Sequence, residues 1–144
     1  MQRGNEILLL HRIKKNNDIN AGKWIGVGGK FELGESAEEC MRREIYEETG
    51  LIAHHLKLHG FVSFPGLYHG EDEGMFVYTC DDFSGELHDC DEGVLQWVDV
   101  NVIPSLPMWE GDYHFFEWIK DNAFHSAKIV YENDHVVEYQ EECY

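Results

Sequence analysis

Three glutamates, Glu44, Glu47 and Glu48, stand at i, i+3 and i+4 within residues 36–49. In a helix, side chains at this spacing share one face. At about 100° per residue, Ala37, Cys40, Met41 and Ile45 form an apolar arc, and the glutamates continue its line. Bare carboxylates so placed repel one another and resist burial. A positive group must meet them. Hard divalent cations with oxygen ligands suit the task, Mg²⁺ first and Mn²⁺ as the alternative. Taken alone, E-x-x-E-E reads first as a solvated acidic face.

The neighbouring residues change that balance. Gly28-Gly29-Lys30 lies upstream. Paired glycines let backbone approach a ligand closely, and a carbonyl there can join a metal shell. Lys30 offers a point charge for phosphate. Arg43 stands four residues from Glu39 and can also reach back to Glu35. Either pairing would brace the glutamates, as outer partners do around metal sites. The helix itself is well signalled. Ser36 and Glu39 form the S-x-x-E capping pattern, and Gly50 sits where a left-handed terminating glycine belongs.

Together these residues spell a known signature. Gly29, Glu35, Arg43-Glu44-Ile45, Glu47-Glu48 and Gly50-Leu51 fit G-x5-E-x7-R-E-U-x-E-E-x-G-U at every defined position, U being aliphatic. Seven fixed residue types make a chance match roughly 10⁻⁸ per start position. The chain resembles the Nudix hydrolases, and within them the MutT-like branch acting on oxidised purine nucleoside triphosphates. The resemblance implies an α/β (α+β) fold, an α/β/α sandwich with a mixed sheet in which the box forms loop–helix–loop. It implies a metal site built from Gly28, Glu44, Glu47 and Glu48. It places a further acid outside the box, at Glu92 in preference to Asp91, with Trp97 setting the register. Glu44 or Glu48 would orient or deprotonate water. Arg43 and Glu35 would hold the helix, with Gly29 and Gly50 shaping its ends.

For the substrate, the resemblance points to Arg12 and Lys14, within the basic run that also holds Lys15 and Lys23, and to Lys30, as phosphate contacts. Trp109 would stack on a base and Asp112 would bond its edge. Gly111 and Ile25 depart from the mammalian-type pattern, so the base stays open. The implied reaction is Mg²⁺-dependent hydrolysis of a nucleoside triphosphate to a monophosphate and pyrophosphate. The expected substrate is 8-oxo-dGTP or a related oxidised purine, a role in nucleotide-pool cleaning and DNA repair. Rival substrates are ADP-ribose, a dinucleoside polyphosphate or another dNTP. A rival class is a non-catalytic nucleotide-binding regulatory module.

The rest of the chain must position these groups. Its 144 residues suit one domain. With 43% apolar and 13% aromatic residues it can bury a core. With 28 acidic against 11 basic residues, the net charge is −17, which disfavours nucleic-acid polymers as partners. No apolar run approaches the roughly 20 residues of a membrane span. Cys40, Cys80, Cys90 and Cys143 form no C-x-x-C pair. With no secretory signal, they are expected to be reduced thiols of a cytoplasmic protein, a monomer or homodimer. Strands are expected at Glu6–His11, 23–27, 56–64, 74–80, 94–98, 128–131 and 135–140, with a second helix over 112–122. Only five residues precede Glu6, whereas such folds usually have a further strand there, so either an incomplete gene product or an absent first strand is expected.

Overall fold

A computed structural model describes residues 1–144, which group into two compact units. The first comprises Met1–Leu56 and Cys80–Met108; the second comprises Lys57–Thr79 and Trp109–Tyr144.

In the first unit, Glu6–His11 (β2) is the central strand. It pairs antiparallel with Gln2–Arg3 (β1), Trp24–Ile25 (β3) and Val94–Asp99 (β6). A strand therefore does precede Glu6, although it is only two residues long. Ile7, Leu8, Leu9 and Leu10 are all buried, so both faces of β2 are covered and its unbroken apolar run is explained. Helix α1, Ala37–Thr49, follows a long loop. Ser36 accepts the Glu39 amide while Glu39 accepts the Ser36 amide, which closes the capping box. Gly50 ends the helix at φ 79, and its N–H donates to the Tyr46 carbonyl. Ile45 packs with Leu8, Leu51, Ala53 and Cys80. One face of α1 is thus anchored in the core, and the glutamates stand beside that anchor.

The second unit carries most of a mixed sheet ordered β5-β4-β7-β8. Strands β4 (Leu51–Tyr68) and β5 (Glu71–Gly85) run longer than the apolar pattern alone suggests. Strands β7 (His125–Glu132) and β8 (His135–Cys143) form the expected hairpin, turning on Asn133 and Asp134 at φ 51 and 68. Two successive left-handed residues match the twist of flanking strands. β7 lies parallel to β4. Val62, Phe64, Phe115, Trp118, Ala127 and Ile129 form this unit's core. The second helix, α2, is shorter than expected and spans Asp112–Trp118. Asp121 stops it locally: its carboxylate accepts the Ala123 amide at 2.9 Å and meets His125 Nε2 at 3.0 Å. Aspartate side chains that bond nearby backbone compete with helix.

Candidate active site

The loop before α1 and the last two turns of α1 bring the box residues together. Arg43 is the hub. Its Nε and Nη2 donate to the two oxygens of Glu35, its Nη2 also to the Lys30 carbonyl, and its Nη1 to Glu44 and Glu47. Of the two partners open to Arg43, the structure selects Glu35; Glu39 is committed to the cap. The Arg43 bonds hold the Glu35 carboxyl down to about 2.

Glu48 differs from its neighbours. It is half-buried, and that burial pushes its carboxyl up to about 7. The Gly28 amide, donating at 3.2 Å, works against that rise, while the charges of Glu44 and Glu92 add to it and that of Arg12 opposes it. A Cβ on Gly29 would run into the Glu44 carboxylate, so only glycine lets the loop lie so close. Glu47 is the outlying acid, with its side chain 56% exposed and bonded to Arg43.

Glu92 enters from the turn before β6. Arg12 Nη1 donates to its Oε2 at 2.5 Å and Lys15 Nζ to its Oε1 at 3.2 Å. Asp91 is exposed. Arg12 and Lys14, read from sequence as phosphate contacts, are occupied within the protein. Arg12 also binds Asp18 at 2.7 Å, and Lys14 Nζ donates to the Cys90 carbonyl at 2.9 Å. Lys30 is exposed. Sequence reasoning passed over Asp18. Its available signal was a single acid within a basic loop.

In the second unit, Trp109 is half-buried and meets Tyr131 edge-on at 5.8 Å. Burial pushes the Asp112 carboxyl up to about 7. Gly111, where a second acid was sought, donates its N–H to the Tyr131 hydroxyl at 2.8 Å. The neighbouring Glu110 accepts the Val136 amide at 3.1 Å and faces His135.

The acids facing Glu48, namely Glu44 and Glu92, offer oxygen ligands, which fits a hard cation. The acids are engaged by Arg43, Arg12, Lys15 and the Gly28 amide, and no three His, Cys, Asp or Glu side chains converge in metal-holding geometry. Arg43 takes only one oxygen of Glu44 and one of Glu47.

A family profile described as NUDIX domain matches residues 1–119. The chain belongs to the Nudix family. It is 36% identical over 102 residues to an oxidized purine nucleoside triphosphate hydrolase of Danio rerio, covering 71% of this chain and 65% of that protein. It is also 36% identical over 107 residues to an ADP-ribose pyrophosphatase of Methanocaldococcus jannaschii, covering 74% and 62%. The chain thus spans slightly less than two-thirds of the length of these Nudix relatives. Among solved structures, the MutT protein from Bacillus halodurans superposes with a TM-score of 0.84 at 27% identity, covering 96% of this chain and 90% of that one. The mixed α+β architecture is that of Nudix MutT proteins. No helix is long and apolar enough to cross a membrane.

Proposed function

We propose that this Nudix chain hydrolyses nucleoside triphosphates to a monophosphate and pyrophosphate with Mg²⁺, and that its substrate is an oxidised purine such as 8-oxo-dGTP. The observation that carries the reading is Glu48: a half-buried carboxyl facing the charges of Glu44 and Glu92 beside the Gly28 amide. Such concentrated negative charge is costly alone and suits a dication.

Glu44, Glu47, Glu48, Glu92 and the Gly28 carbonyl would hold the ion. When bound, it would neutralise the polyphosphate and acidify water. Glu48, titrating near neutrality, suits acceptance of the proton from the attacking water; Glu44 is the alternative. Arg43 holds Glu44 in place from the Glu35 side. Lys30 is the exposed cation for phosphate. We assign Trp109 to base stacking and Asp112, whose carboxyl burial pushes up to about 7, to a hydrogen bond with the base edge. Residues of both units fall within the matched span, which supports treating the chain as one functional domain.

The test is chromatographic analysis of the products from 8-oxo-dGTP, dGTP, dATP, dCTP, ADP-ribose and a diadenosine polyphosphate with Mg²⁺ or EDTA: monophosphate and pyrophosphate from a triphosphate, AMP and ribose 5-phosphate from ADP-ribose, and two adenosine nucleotides from the dinucleotide. Metal-dependent hydrolysis strongest with 8-oxo-dGTP is expected. Preference for ADP-ribose, which the archaeal relative favours as the second reading, would discard the base assignment and keep the helix.

A further inference from the structure

We infer that Asp18 is a positioning residue that sets Glu92 through Arg12, an inference resting on the reading of Glu92 as a metal ligand. The loop between β2 and β3 is polar, yet its ion pair is enclosed: the side chains of Arg12 and Asp18 are 12% and 8% exposed. Burying such a pair brings little stability, so its retention asks for another reason.

The geometry supplies one. Asp18 is itself fixed in a turn, where its carboxylate accepts the Asn20 amide at 3.1 Å and its carbonyl accepts the Ala21 amide at 3.0 Å. Asp18 Oδ2 takes Arg12 Nε at 2.7 Å. With Nε held, the planar guanidinium cannot rotate, and Nη1 is aimed at Glu92. The turn carrying Glu92 is tied to the same segment. Lys14 N–H donates to the Glu92 carbonyl at 3.3 Å, and Lys14 Nζ to the Cys90 carbonyl. Gly93 lies against the His11 carbonyl with no room for a Cβ.

Charge gives the second half of the argument. Glu92 faces two cations, Arg12 and Lys15. A carboxylate neutralised twice is a poor partner for a third positive charge. Asp18 draws off part of the Arg12 charge, so Glu92, although bonded to Arg12 and Lys15, keeps more of its pull on a dication. Removing Asp18 should let Arg12 close fully on Glu92.

The experiment is titration of the full chain with Mn²⁺ alone, followed by electron paramagnetic resonance, for the unaltered protein, Asp18→Ala, Glu92→Gln and the double variant. Asp18→Ala should weaken Mn²⁺ binding about 10-fold, within the range for outer partners of metal ligands. In the Glu92→Gln background it should add nothing, because its effect travels through Glu92. Unchanged affinity in Asp18→Ala, or additive losses in the double variant, would overturn the inference and leave the metal site standing. Full affinity in Glu92→Gln, or no binding by the unaltered chain, would remove the metal reading and this inference with it. Should Asp18→Ala fail to fold by circular dichroism, Arg12→Lys decides. It keeps the charge but loses the two-sided grip, so it should weaken Mn²⁺ similarly; full affinity would overturn the inference.

Discussion

Arg43 grips Glu35 through two bonds, Nε to Oε1 at 2.5 Å and Nη2 to Oε2 at 3.0 Å, and so joins the loop before α1 to the helix that bears the glutamates. The same guanidinium reaches the Lys30 carbonyl at 3.0 Å and Glu44 at 2.6 Å. One flat group thus sets the loop backbone and an acid of the proposed metal site together. Lysine could not span these partners, because it offers a point charge and not a fork.

Glu35→Gln and Arg43→Lys should therefore both lower turnover by about 10- to 100-fold while leaving helix content unchanged. Steady-state kinetics beside circular dichroism checks this. Turnover within twofold of normal in Arg43→Lys would show that the fork is not needed.

Gly29→Ala separates function from stability. The nearest atoms the added methyl would meet are those of the Glu44 carboxylate, the far end of a flexible side chain that can swing aside. Stability should fall by less than about 1 kcal/mol, below the usual cost of overpacking a rigid core. Turnover should nevertheless drop strongly, since Glu44 is displaced. Urea unfolding and a kinetic assay on the same preparation read both sides.

Glu48→Gln should stabilise the metal-free protein as it removes activity. The Glu48 carboxyl is raised to about 7 from an ordinary 4.5. A raised acid binds its proton more tightly folded than unfolded, so stability declines as pH rises between these values. Above pH 7 the cost reaches about 3 kcal/mol, and Gln does not bear it. The variant's melting temperature should exceed the unaltered protein's at pH 8 and match it at pH 4. Mg²⁺ should raise the melting temperature of the unaltered chain much more than that of Glu48→Gln.

The helix and its chemistry were legible because their signals are local. Ser36, Glu39 and Gly50 mark the ends of α1 at fixed offsets, and the glutamates declare themselves by spacing within one element. The bonds of Arg12 were not legible, because Glu92 lies 80 residues away. A basic run reads as a phosphate contact until its partners are known. The early end of α2 was hidden for a related reason. Asp121 stops the helix partly through His125, a residue of the next strand. The length of β4 also escaped the pattern, since polar His54 and His55 break the apolar run after Leu51-Ile52-Ala53.

His125 gives the second unit a pH-dependent tie. Its ring is buried, stacked at 5.2 Å on Trp118, and placed between Glu141 at 2.7 Å and Asp121 at 3.0 Å. Burial alone would push the imidazole down, but the two carboxylates outweigh it and the net shift is upward. A histidine raised in the folded state contributes stability that is fully present below its unfolded value near 6.5 and is lost as pH rises through the folded value. Glu141 and Asp121 are both lowered. Their contribution is present above their ordinary values of 4.5 and 3.8 and is lost as pH falls through the lowered ones. The tie is therefore strongest from about pH 4.5 to 6.5, where the imidazole and both carboxylates are charged. Urea unfolding of the unaltered chain and of His125→Gln across pH 4 to 9 measures it. The difference between them should peak in that window and narrow on both sides. A difference constant from pH 5 to 9 would mean that His125 stays neutral and contributes by packing alone.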